Sequence, residues 1–289
     1  MTLPKKARPA NEPFGYCLNL STIRGQNLPI TEDIDIAAAA GFTAIEPWLN
    51  KLDEYVKGGG SLKDLRKRIA DHGMTVESGI GFAEWIVDDD QRRAKGLEQS
   101  KSDMDVLLQI GGKRIAAPPA GAVDVANLNL LKAAERYRAL AELGQSMGIK
   151  PQVEVWGFSQ SLSRLGETTF VAIESGLPNA CILADVYHLY KGGSDFSGLS
   201  LLNGNAMEVF HVNDYPADPV RAKITDADRV YPGDGVAPLA TIYRQLRDIG
   251  FTGYLSLELF NPGYWKQDAK VVAKTGLEKL RHSVQQALA

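Results

Sequence analysis

Short apolar runs of strand-like composition alternate with longer stretches of helical periodicity, and the cycle repeats eight times along the chain. The runs at residues 15–20, 44–47, 75–79, 114–117, 151–155, 181–185, 209–212 and 254–258 predict strands. Apolar positions three and four apart predict helices near 32–40, 62–72, 91–110, 125–147, 168–175, 196–203 and 239–249, and a last one over 267–289. Glycine closes many of these helices just before the next strand, at Gly41, Gly73, Gly111, Gly112, Gly148 and Gly250.

Eight β-α units without a break in composition predict an α/β fold, a single (β/α)8 TIM barrel over residues 14–289 behind a flexible polar tail of residues 1–13. The length of 289 residues suits one such barrel, which needs about 250. A doubly wound sheet would carry a glycine-rich phosphate fingerprint after its first strand, and Ser21-Thr22-Ile23-Arg24-Gly25 is not one. Apolar residues at 44% and charged residues at 23% fit a globular chain with a large core.

A net charge of −3 argues against nucleic acid or an anionic membrane as partner; the cluster of Lys5, Lys6 and Arg8 belongs to the tail. No apolar run predicts a secretory leader or a membrane span, so a cytoplasmic setting is expected, with a homo-oligomer left open. The two cysteines, Cys17 and Cys181, fall inside predicted strands and read as reduced core thiols.

In a parallel barrel, chemistry collects where strands end at the C-terminal face. Four of the later strands end in ionisable residues set in apolar runs: Glu154, Asp185, His211 and Glu258. Burying each alone would be costly, so a shared partner is expected. One divalent metal ion is the economical choice, and mixed oxygen and nitrogen ligands suit Mn²⁺, Co²⁺, Mg²⁺ or Zn²⁺. Glu154 and Glu258 would then flank a bound ketone as an acid/base pair, the metal polarising the carbonyl and stabilising an enediolate. His188 lies three residues past Asp185, in the expected loop over the site, and Arg229 in a turn-rich stretch after strand 7. The step from His211 to Glu258 is 47 residues, against 31 and 26 for the two steps before it, which predicts extra wall or lid on the catalytic face. His72 and His282 fall on outer helices and read as surface residues.

At these residues the chain resembles the xylose-isomerase-like TIM-barrel superfamily of sugar isomerases and epimerases. The likeness rests on Leu183-Ala184-Asp185-Val186-Tyr187-His188, Phe210-His211-Val212-Asn213-Asp214, Asp228-Arg229-Val230-Tyr231-Pro232-Gly233 and Leu257-Glu258-Leu259-Phe260-Asn261-Pro262-Gly263-Tyr264-Trp265-Lys266. The last two stretches, and Lys51-Leu52-Asp53-Glu54-Tyr55-Val56, are most similar to inosose isomerases. The resemblance implies Glu154, Asp185, His211 and Glu258 as metal ligands and Glu154 and Glu258 as the acid/base pair. It also implies His188, Arg229 and, on a weaker match, Gln160 as substrate-binding residues. The loops at Glu84-Trp85 and Ala117-Pro118-Pro119-Ala120-Gly121 depart from that pattern. The expected function is metal-dependent isomerisation or epimerisation of a keto-sugar or ketocyclitol by proton transfer. Alternatives are a dehydratase or lyase acting on a keto-sugar or 3-keto-glycoside, and a non-catalytic sugar-binding protein. A DNA-repair endonuclease of this fold would need a histidine-rich zinc cluster and a basic groove, which the composition does not offer.

Overall fold

The computed structural model describes residues 12–289, so all but the last two residues of the expected tail lie outside the described residues. The strands are β1 (Gly15–Asn19), β2 (Ala44–Glu46), β3 (Thr75–Val76), β4 (Arg114–Ala117), β5 (Lys150–Glu154), β6 (Cys181–Asp185), β7 (Val209–Val212) and β8 (Tyr254–Leu257). All pair in parallel, in the order β3-β2-β1-β8-β7-β6-β5-β4. The two end strands meet through a bridge between Gly79 and Ile115. There Gly79 N donates to Arg114 O at 3.0 Å and Gly79 O accepts from Ala116 N at 2.9 Å. A Cβ on Gly79 would sit 2.9 Å from Leu107 and 3.1 Å from Leu49, so glycine lets two outer helices close on the seam.

The strands are buried almost throughout, which is why they read as apolar runs rather than alternating ones. Around them lie α1 (Ile30–Ala40), α2 (Leu49–Lys57), α3 (Leu62–Asp71), α4 (Asp90–Gln109), α5 (Leu130–Met147), α6 (Leu165–Glu174), α7 (Val186–Gly192), α8 (Leu239–Asp248), α9 (Pro262–Trp265) and α10 (Ala269–Leu288). Gly41 and Gly148 end α1 and α5 with φ of 97° and 78°, the left-handed geometry expected of them. The main core lies between sheet and helices; a separate small cluster of Ile80, Ala116, Leu183 and Val209 fills the barrel interior. Side chains alternate along a strand. Asp185 and His211, two residues beyond Leu183 and Val209, therefore point the same way, at the barrel's C-terminal end.

The structure departs from the sequence pattern in five elements. β3 holds only Thr75–Val76, the chain beyond it meeting its neighbours through single contacts. The expected helix at 196–203 is a 3-10 turn, Phe196–Leu201, broken from a second at Gly204–Ala206. Helices α2, α7 and α9 are additional to those the periodicity predicts. Cys17 and Cys181 are free and buried, and His72 and His282 are exposed, as expected. Among the described residues, no helix is long and apolar enough to cross a membrane.

An ion network ties four strands, β3, β4, β5 and β7, together near their N-terminal ends. Buried Glu77 accepts from Thr75 Oγ1 at 2.7 Å, Lys113 Nζ at 2.5 Å and Arg114 Nη1 at 2.8 Å, while Glu208 pairs with both Arg114 and Lys150. Burial alone would push the Glu77 carboxyl up, but Lys113, Thr75 and Arg114 together hold it below its ordinary 4.5. A depressed folded value means the stabilisation is complete above the unfolded value and is lost as pH falls through the folded one. Glu77→Gln is therefore expected to cost about 1.5–3 kcal/mol at pH 7 in urea unfolding. The gap to the parent chain should narrow as pH drops below about 4.5; a gap that stays constant would contradict the assignment.

Candidate metal centre

Asp185 and His211 are register partners at the ends of β6 and β7, and Glu258 follows β8 directly. Their donor atoms lie within 4.8 Å of one another, and all three residues are buried. The strand-end rule thus brings three of its four residues into one cluster. Glu154, at the end of β5, is buried as well but is not in that group.

Each member is held from a second side. Asp185 Oδ1 accepts from His188 N at 2.7 Å, which caps α7, and Oδ2 accepts from Asn213 Nδ2 at 2.8 Å and Arg229 Nη1 at 3.2 Å. Glu258 Oε1 accepts from Asn19 Nδ2 at 3.0 Å and Oε2 from Arg229 Nη1 at 2.8 Å. His211 Nε2 lies 2.9 Å from Glu46 Oε2, which also accepts from Ser256 Oγ at 2.8 Å and Asn19 Nδ2 at 3.0 Å.

That pairing bears on what the cluster can hold. A neutral ring that donates Nε2–H to Glu46 would carry its lone pair on Nδ1, and a carboxylate behind a ligand histidine fixes its tautomer in this way. Among the described residues, buried His211 Nδ1 meets no partner in good hydrogen-bond geometry, yet it stands 3.2 Å from Glu258 Oε2 and 4.0 Å from Asp185 Oδ2. A buried, unpartnered nitrogen facing two carboxylates is what a cation would satisfy. The donor set fits a single divalent metal ion.

The charges agree. Burial pushes Asp185 up to about 6 although Arg229 pulls it down, and burial pushes Glu154 up to about 8 although His211 pulls it down. Burial would also raise Glu258, but His211 and then Arg229 hold it well below the usual carboxylate range. Burial opposes a charge on His211, while Glu258 and Glu46 draw its value well above the ordinary one. Burial and then Arg229 push His188 well below it, so that ring is neutral.

Arg229 is fully buried and spans the centre, touching Asp185, Glu258, Asp226 and, at 3.1 Å, His188 Nε2. His188 is not on a loop, as the sequence suggested, but on the first turn of α7, and it too is buried. The reason is that Asp185 ends β6 and caps α7 at once, leaving no connection between them. Gln160 is exposed on the segment after β5, and its side chain bonds none of these residues. The long step before Glu258 forms a wall: Asp214 pairs with Val230, and the Asp214 carboxylate gathers the N–H groups of Gly233, Gly235 and Ala237.

Sequence reasoning missed Glu46, Asn19, Asn213 and Trp48. Glu46 ends an apolar strand just as the named four do, so the same rule would have found it. Asn19 and Asn213 are neutral and give no such signal. Trp48 donates Nε1–H to Asn19 at 3.0 Å and begins a chain of rings around the mouth. It lies 5.2 Å from Phe82 and 6.0 Å from Phe260; Phe82 lies 6.0 Å from Trp156, and Trp156 lies 5.1 Å from Phe158.

A family profile described as xylose isomerase-like TIM barrel matches residues 34–282. Inosose isomerase of Bacillus velezensis is 27% identical over 270 residues, covering 91% of this chain and 94% of that protein. The 3-dehydroshikimate dehydratase of Pseudomonas aeruginosa is 24% identical over 254 residues, covering 87% of this chain and 39% of that protein. A solved structure described as the IOLI protein with a binding zinc atom matches with a TM-score of 0.86 at 23% identity, over 94% of this chain and 99% of that one. A metal-binding triad in a TIM barrel is the arrangement typical of isomerase and epimerase enzymes. The chain belongs to the xylose isomerase-like TIM barrel family.

Proposed function

We propose that the chain is a divalent-metal-dependent isomerase or epimerase that moves a proton beside the carbonyl of an inosose-like ketocyclitol or a keto-sugar. The observation that carries this reading is a second buried carboxylate, Glu154, which takes no hydrogen bond from any described residue and stands at the next strand end to the Asp185–His211–Glu258 donor set. Asp185, His211 and Glu258 would hold the metal, with Glu154 as the fourth ligand. A divalent ion there supplies Lewis-acid polarisation of a ketone, which makes the neighbouring C–H more acidic.

The protein's own groups do the rest. β5 and β8 are separated by β6 and β7, so Glu154 and Glu258 approach a bound ring from different sides. One takes a proton from carbon and the other returns it, the division of labour that an epimerisation requires and an isomerisation can use. His188, neutral and fixed by Arg229, and Arg229 itself face substrate oxygens, and Gln160 lies at the rim. Trp48 and Trp156 offer apolar faces to ring C–H groups and keep bulk water from the carbonyl. The relatives named inosose isomerase support a cyclic ketone as substrate. The donor set suits Mn²⁺, Co²⁺, Mg²⁺ and Zn²⁺, and the zinc reported in the solved relative makes that ion a natural first choice.

A second reading, loss of a β-hydroxyl from the same activated ketone, is favoured by the relatives named 3-dehydroshikimate dehydratase. One experiment separates the two. Metal-loaded protein is incubated in D2O with inososes, keto-hexoses and 3-keto-glycosides and followed by NMR. Isomerisation gives deuterium beside the carbonyl and a product of unchanged formula; elimination gives loss of water; no exchange with any ketone rejects both.

A further inference from the structure

We infer that Arg24 reads an anionic group, a carboxylate or a phosphate ester, that the substrate carries away from its reacting ketone. The inference rests on the ketone reading only for where the reacting end lies. Arg24 stands on the turn after β1, at the C-terminal face. It is exposed and, among the described residues, makes neither an ion pair nor a hydrogen bond through its side chain. The neighbouring cation, Lys51, is tied to Asp33, and Glu54 nearby forms no ion pair with Arg24. Arg24 is thus a free cation on the wall of a cavity of about 490 Å³ that it shares with Trp48, Asn27 and Asn50.

The guanidinium is held in place. Its Cζ lies 4.9 Å from the Trp48 ring, 5.3 Å from Trp265 and 5.6 Å from Phe260. Aromatic faces take up the flat sides of a guanidinium and leave its in-plane N–H edge free, which is the edge that grips carboxylate and phosphate oxygens. The backbone beneath is fixed as well. Ser21, Thr22 and Ile23 are buried, and Thr22 Oγ1 donates to Leu257 O at 2.9 Å. Trp265 Nε1 donates to Ser21 O at 3.1 Å, and a Cβ on Gly25 would overlap the Trp265 ring. A cation already flanked by three rings has less freedom to lose when it binds a ligand.

Its position relates it to the metal centre. The Phe260 ring that flanks Arg24 also lies 4.9 Å from the Arg229 Cζ, so the two guanidinium groups share a wall. Trp48, under Arg24, bonds Asn19, which bonds both Glu46 and Glu258. Arg24 thus stands beside the two rings, Trp48 and Phe260, that link it to the metal centre.

The test measures binding, not turnover. Mn²⁺-loaded protein is titrated by calorimetry with D-glucose, D-glucuronate and D-glucose 6-phosphate. The expected result is that at least one anion binds about tenfold tighter than glucose or better. Arg24→Gln should abolish that preference and leave glucose binding and thermal stability unchanged. Tighter binding of glucuronate assigns the carboxylate, and tighter binding of glucose 6-phosphate assigns the phosphate. Equal binding of all three, no binding of either anion, or a preference that survives Arg24→Gln overturns the inference; so does a variant whose change is confined to stability. An anion preference without ketone exchange in D2O would sink the ketone reading and leave Arg24 standing; exchange without the preference does the reverse.

Discussion

Replacing Glu154 by glutamine is expected to slow deuterium exchange beside the ketone by ~10²–10⁴-fold, while Mn²⁺ still loads at one ion per chain. The amide keeps an oxygen donor toward the metal and nearly the same shape, so the centre should assemble. What it loses is the capacity to take or return a proton. Glu154 is suited to that task because it is buried and nothing among the described residues competes for its carboxylate. Calorimetric titration with Mn²⁺ and NMR exchange rates on the same sample separate the two effects. Equal exchange in parent and variant would remove Glu154 from the acid/base pair, and loss of metal along with exchange would reduce it to a ligand.

Arg229→Met should have the largest effect on stability. The guanidinium is fully buried and neutralises three carboxylates from separate parts of the chain: Asp185, Glu258 and the nearby Asp226. Methionine fills similar space and leaves Asp185 and Glu258 facing each other with less compensation. Removing one partner of a buried ion pair costs about 3–5 kcal/mol, which urea unfolding of metal-free protein would show directly. Saturating Mn²⁺ should recover part of the loss, because the ion adds positive charge beside the same two carboxylates. A cost below about 0.5 kcal/mol would place Arg229 among surface substitutions and contradict its bridging role.

Much of the barrel and its centre is legible in the residues themselves. Asp185, His211 and Glu258 stand out as ionisable residues at the ends of apolar runs, and the barrel does the rest by turning equivalent positions inward. Glu46 carries the same signal in Ala44-Ile45-Glu46 but escapes notice, because the strand-end rule is applied to the later four strands alone. Helix α7 is hidden because its cap is the last residue of a strand. Helix α2 is hidden because Trp48 precedes it with no side-chain cap at all. The helix predicted at 196–203 gives way to 3-10 turns where Gly198 and Gly204 interrupt the run. Arg24 has no sequence signature, since what singles it out is three rings contributed by Trp48, Phe260 and Trp265 from distant parts of the chain.

If Asp185, His211 and Glu258 hold a divalent ion on which proton transfer beside a ketone depends, that transfer must follow the ion. The most direct test follows deuterium incorporation into a ketone substrate in D2O, first with metal-loaded protein, then after chelation and dialysis, then after one equivalent of Mn²⁺ is returned. The expected sequence is exchange, its loss, and its recovery, with no recovery in Asp185→Asn. Exchange that continues undiminished in the stripped protein would contradict it.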